Sequence, residues 1–193
     1  MYQFFVAYSA LIRCNTHILN CQLNYRYPHM KKLILITFIA AFTLSARAQE
    51  QPKIYNPDAD AKEEIKTAVK QAAQQHKNVL LQIGGNWCIW CLRFNDLVTK
   101  DADLNKYLND NYVVLHVNYS KENENKAALA DLGYPQRFGF PVFVVLDDKG
   151  TRLHTQNSGY LEEGKGHSKE KVMGFLKDWS PAAVDPKSYE KAK

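Results

Sequence analysis

The chain has 193 residues, enough for one domain with appendages, and its 46% hydrophobic and 23% charged residues are ordinary for a globular protein. Its formal charge of +5 is confined to the first 48 residues, which hold Arg13, Arg26, Lys31, Lys32 and Arg47 and no acidic residue. Beyond them Lys and Arg match the 20 Asp and Glu, so no basic surface argues for a nucleic-acid partner.

Met30-Lys31-Lys32 precedes an apolar run from Leu33 to Leu44, and Ala46-Arg47-Ala48 follows. A short basic start, an apolar stretch and an A-x-A site form the pattern of a secretory signal peptide over residues 30–48, with cleavage after Ala48. The run is shorter than the ~20 residues a membrane-spanning helix needs. Residues 1–29 are expected to be a gene-model extension ahead of a true start at Met30. A long n-region beginning at Met1 is the alternative, and a lipid anchor on Cys14 is opposed by Arg13, where a small residue is wanted. The expected location is periplasmic or secreted.

Residues 49–57 read as an extended arm, 58–180 as the folded domain and 181–193 as a flexible polar tail. Asp58 to His76 is expected to be a helix, acidic at its start, with Ile65, Val69 and Ala72 or Ala73 on one face. Val79 to Ile83 is a short apolar strand with little alternation, so buried on both faces. Gly84-Gly85-Asn86 is a turn, and Cys91 opens a helix towards Lys100. Asp101 to Asn109 is a further helix, Tyr112 to Tyr119 a strand, and Glu122 to Leu132 a helix ending at Gly133. Pro141 to Leu146 and Thr151 to Gln156 are strands joined by the turn Asp147-Asp148-Lys149-Gly150. Ser168 caps a last helix to Trp179, with Val172, Phe175, Leu176 and Trp179 on its core face. Alternating units followed by a hairpin predict an α/β fold with a mixed parallel and antiparallel central sheet flanked by helices.

With residues 1–48 set aside, Cys88 and Cys91 are the two remaining cysteines. A bridge over two residues closes almost no loop, so in an exported protein it is better explained by chemistry than by stapling. At a helix N-terminus, unpaired N–H groups and the helix dipole favour a thiolate on the first cysteine. The second, one turn on, is placed to attack a mixed disulfide and release the substrate. Zinc would need four ligands, and His76, His116, His154 and His167 are scattered, so no metal is expected. Haem attachment wants a histidine where Leu92 stands. An inert disulfide stays as an alternative.

Strand, then Trp87-Cys88-Ile89-Trp90-Cys91, then helix, with Gly139-Phe140-Pro141 leading a strand about 50 residues later, resembles the thioredoxin-like family over Val79 to Trp179. The pattern is similar to exported bacterial members, including the periplasmic C-terminal domain of the disulfide-reductant membrane transporter. The resemblance implies a thioredoxin fold and a thiol–disulfide oxidoreductase whose redox-active centre is the Cys88–Cys91 disulfide, with no other cofactor. It implies attack by Cys88, resolution by Cys91, a cis bond before Pro141, and pairing of substrate backbone with Phe140 as an added strand. Trp87 would flank the site. Thioredoxin carries a buried acid six positions before its first cysteine; here that position is Gln82, and His116, near the place of a thioredoxin lysine, is the candidate for proton transfer. Ile89-Trp90 replaces Gly-Pro and either forms a docking surface or packs as core; Tyr134 and Phe138 line the groove or pack as core. The expected partners are protein disulfides or dithiols, with a membrane disulfide-reductant transporter as one candidate, and the expected state is a monomer. Reduction is slightly favoured as the direction. The alternative function is a binding module of the same fold in which Cys88–Cys91 stays a fixed disulfide.

Overall fold

The computed structural model describes residues 53–190; the expected leader and the segment before it lie outside the described residues. Helix α1 (Ala61–Gln75) begins where the Asp60 carboxylate accepts from the Lys62 and Glu63 N–H groups. It ends at His76 in the left-handed region, at φ 54°. Ala68 and Ala72 are buried on its inner face, with Ile65 and Val69 partly buried beside them.

Strand β1 (Asn78–Gly84) is buried at all seven positions, as its near-continuous apolar run predicts. It runs parallel to β2 (Tyr112–Asn118), with Leu80 opposite Val114. That connection needs a crossover, supplied by α2 (Ile89–Lys100) and α3 (Ala102–Asn111). Strand β3 (Val142–Leu146) pairs antiparallel on the other edge of β1, and β4 (Arg152–Asn157) pairs antiparallel with β3. The sheet order is β2-β1-β3-β4, the mixed arrangement expected from the sequence.

Alternate residues of β1 feed two cores. Val79, Leu81 and Ile83 pack with α1 and with Leu129 of α4 (Lys126–Asp131). Leu80 faces Phe94 and Val98 of α2, Leu104 and Leu108 of α3, and Val172, Phe175 and Leu176 of α5 (Lys169–Asp178). Helices therefore cover both faces of the sheet, and β1 is its central ridge.

Two segments differ from the sequence reading. The helix expected over Glu122–Leu132 is the shorter α4, because asparagine side chains take the backbone groups ahead of it. Asn118 Nδ2 donates to the Asn123 carbonyl at 2.9 Å, Asn125 Nδ2 donates to the Asn118 carbonyl at 2.9 Å, and Asn125 adopts φ 48°. A hairpin not foreseen, β5 (Glu162–Glu163) with β6 (Gly166–His167), lies before α5. The polar stretch after Ser180 carries two single turns of helix, α6 (Pro181–Val184) and α7 (Lys187–Glu190), the first capped by the Ser180 hydroxyl.

Phe143 of β3 is fully buried, its ring 4.3 Å from Phe94 and 5.9 Å from Phe175 between centroids. Phe143→Ala is expected to lower the unfolding free energy by about 3–5 kcal/mol, read as a lower urea midpoint with an unchanged slope.

Candidate active site at the start of the second helix

Strand β1 ends at Gly84, and the chain turns through Gly85, Asn86 and Trp87 into Cys88, the residue that caps α2. The helix starts at Ile89, two residues earlier than expected, because the Cys88 sulfur itself accepts from the Cys91 N–H at 3.1 Å. A sulfur in the N-cap position receives a hydrogen bond and the positive end of the helix dipole together. Cys88 and Cys91 form a disulfide; Cys88 is 5% exposed and Cys91 fully buried. Of the two, Cys88 is thus the one that faces outward.

Beneath the pair lies a polar network. The Gln82 side-chain amide donates to the Tyr55 hydroxyl at 2.8 Å and to the Cys91 carbonyl at 3.1 Å. Tyr55 belongs to the arm before α1, and Asn86 holds that arm from both sides. Its Oδ1 accepts from the Tyr55 N–H at 3.0 Å, and its Nδ2 donates to the Tyr55 carbonyl at 2.8 Å. Tyr55 is 2% exposed and packs with both cysteines. Burial pushes its hydroxyl pKa well above the ordinary tyrosine range, only partly offset by the Gln82 hydrogen bond, so the group stays protonated. Gly84 makes the close approach possible: a Cβ there would collide with the Cys91 sulfur and lie 3.0 Å from the Tyr55 hydroxyl. Sequence reasoning passed over Tyr55; its only signal was an Ile54-Tyr55 pair in an otherwise polar arm.

An aromatic wall flanks the outward side. Trp87 is 60% exposed, yet its indole N–H donates to the Tyr119 carbonyl at 2.8 Å. Its ring meets Phe140 edge-on at 5.5 Å, and Phe140 stacks on Tyr119 at 4.8 Å. Phe140 also packs against the cysteine pair, and the Phe140–Pro141 bond is cis. Beside the wall opens a groove of about 640 Å³ lined by Trp87, Asn86, Tyr119 and Glu122 among others.

The remaining candidates fall in different places. Ile89 is exposed beside Cys88, while Trp90 is half-buried and meets the His167 ring edge-on at 5.8 Å, with Arg93 over its face. The two positions between the cysteines are thus split, one outward and one packed on the β5–β6 hairpin. His116 lies opposite Gln82 in the β1–β2 register, and its ring meets Tyr55 edge-on at 5.4 Å. Burial lowers its pKa and favours the neutral ring. Tyr134 and Phe138 are exposed, so neither is core. Among the described residues, no group of three or more His, Cys, Asp or Glu could hold a metal ion, and no helix is long and apolar enough to cross a membrane.

A mixed sheet covered on both faces, a cysteine-capped helix after the central strand and a cis proline before β3 define a thioredoxin-like domain. Residues 60–148 match the model of the family described as Thioredoxin-like. Among solved structures, a disulphide isomerase from Xylella fastidiosa Temecula1 is 24% identical with a TM-score of 0.59, over 68% of this chain and 98% of that one. The oxidoreductase DsbH is 22% identical, over 57% of this chain and 77% of that one, with a TM-score of 0.43. The DsbD C-terminal domain from Neisseria meningitidis is 17% identical, over 60% of this chain and 94% of that one, with a TM-score of 0.43. No curated protein sequence matches the chain.

Asn86→Ala removes both hydrogen bonds that hold the arm. It is expected to lower stability by about 1–3 kcal/mol and to expose the Lys53–Pro57 segment to limited proteolysis. His167 offers a pH test. Its pKa is lowered from 6.5 to about 4 by burial, and both ring nitrogens are buried without a hydrogen-bond partner. The unfolded chain then binds the extra proton first, so this stabilisation is complete above about pH 6.5 and is lost as pH falls towards 4. Thermal melts of His167→Phe are expected to lose that part of the pH dependence while keeping the carboxylate-driven loss at lower pH.

Proposed function

We propose that this protein exchanges thiols and disulfides with protein substrates, through Cys88 as nucleophile and Cys91 as resolving cysteine. The observation that carries the reading is the Cys88 sulfur seated as the N-cap of α2, accepting the Cys91 N–H. Once the disulfide is reduced, the same N–H group and the helix dipole favour the Cys88 thiolate. That thiolate attacks a substrate disulfide, one substrate sulfur leaves as thiolate, and a mixed disulfide forms on Cys88. Cys91 then loses its proton and attacks Cys88, which restores the Cys88–Cys91 bond and releases the second substrate thiol. Two electrons pass from the protein dithiol to the substrate.

Trp87, Ile89 and the cis Phe140–Pro141 edge supply the docking surface: two exposed apolar side chains and a backbone edge beside the outward cysteine. An extended substrate segment pairs there as an added strand. The Xylella structure, a disulphide isomerase, is of this fold, which agrees with exchange chemistry at such a site. We favour the reducing direction, in an exported protein released by cleavage after Ala48, with a membrane disulfide-reductant transporter as the source of electrons. Substrates are then misoxidised exported proteins, and the working form is a monomer.

Turnover of insulin with dithiothreitol tests the proposal. The wild type is expected to accelerate insulin precipitation, Cys88→Ser to abolish the acceleration, and Cys91→Ser to accumulate a mixed disulfide visible on a non-reducing gel. A wild type no faster than dithiothreitol alone would sink the exchange reading and leave the fixed-disulfide binding module.

A further inference from the structure

Gln82 stands where the thioredoxin-like pattern has a buried acid, and an amide cannot accept the proton of the resolving thiol. The hydrogen bonds around it nevertheless have a direction. The Cys91 carbonyl is a pure acceptor, so the Gln82 side chain must turn its NH₂ group towards it at 3.1 Å. The second hydrogen of the same NH₂ group goes to the Tyr55 hydroxyl at 2.8 Å. That hydroxyl is therefore an acceptor from Gln82, and its own hydrogen must point elsewhere. Among the described residues, Gln82 is its one hydrogen-bond partner. The Tyr55 oxygen and the Cys91 sulfur both close on the same face of Gly84, where a Cβ would meet each of them. Asn86 fixes the Tyr55 backbone on both sides, so the ring cannot withdraw without breaking two further bonds.

We infer that the Tyr55 hydroxyl donates its free hydrogen to the Cys91 sulfur when the disulfide is open, with Gln82 as the positioning residue that aims it. The inference rests on the exchange reading for the meaning of the step, not for the geometry. In resolution, the Cys91 S–H proton leaves to solvent or to the departing substrate thiolate. The Cys91–Cys88 bond forms as the bond from Cys88 to the substrate sulfur breaks. Tyr55 keeps its proton throughout and stabilises the developing thiolate by one hydrogen bond. In the opposite direction Cys91 is the leaving group, and the same bond assists its departure. A neutral hydroxyl thus takes the place of the acid by favouring the charged sulfur rather than by accepting a proton.

The test follows Cys91 alone. In a Cys88→Ser protein, the Cys91 ¹³Cβ shift is followed by NMR through a pH titration, with and without Tyr55→Phe. Loss of a hydrogen bond to a charged sulfur is expected to raise the midpoint by about one pH unit, a tenfold smaller thiolate fraction at neutral pH. With both cysteines present, Tyr55→Phe is expected to slow insulin turnover up to about tenfold at pH 7, with recovery as pH rises. Gln82→Met keeps the hydroxyl but frees it to rotate, so its midpoint is expected to rise by less; the same spectra report whether each variant is folded. An unmoved midpoint in both variants overturns the inference, as does a shift produced by His116→Gln and not by Tyr55→Phe. A raised midpoint beside a wild type that does not turn over insulin supports the hydrogen bond while removing the exchange reading. Turnover with an unmoved midpoint does the reverse.

Discussion

The start of α2 is capped by sulfur, and most of the domain is arranged around that fact. A thiol is a poor acceptor beside the hydroxyls and carboxylates that usually occupy an N-cap, so the helix gains less from it. The deficit is offset by packing. Strand β1 is buried along its whole length and delivers the turn at a fixed height. Phe94 and Val98 hold the far side of α2 in the core. The helix start therefore does not depend on the strength of its cap, and a sulfur can stand there.

The second constraint is the polar group under the disulfide. A carboxyl buried there would have to be charged at a high desolvation cost or neutral with a raised pKa. Gln82 avoids both, because an amide carries no charge and its two N–H groups find two acceptors. One of those bonds reaches Tyr55, from a segment remote in sequence. His116, the titratable neighbour on β2, meets the tyrosine ring edge-on.

The fold was largely legible because its signals are local and strong. The apolar run Val79–Ile83, the Asp-Asp-Lys-Gly turn and the apolar face of α5 each arise from a few adjacent residues, and the structure keeps all three. The Cys88–Cys91 motif was legible for the same reason. Three features were not. The Glu122–Asn125 stretch has helical composition, but Asn118, Asn123 and Asn125 satisfy its backbone through side chains. The β5–β6 hairpin has two-residue strands, too short to show alternation. Tyr55 reaches the site through Asn86 and Gln82, partners 31 and 27 positions away, and no local pattern encodes such a contact.

The clamp on the arm also bears on where this domain ends. The matched family region begins at residue 60, yet a side chain five residues earlier is enclosed with the cysteines. A domain trimmed only at its start, at residue 60, would keep both cysteines, every strand among the described residues and the cis proline. It would nevertheless strip the Gln82 amide of its hydroxyl partner and leave both polar ends of Asn86 without the backbone they hold. The family match takes in the cysteine pair, whereas the hydrogen-bonded surroundings of that pair begin earlier, at the arm.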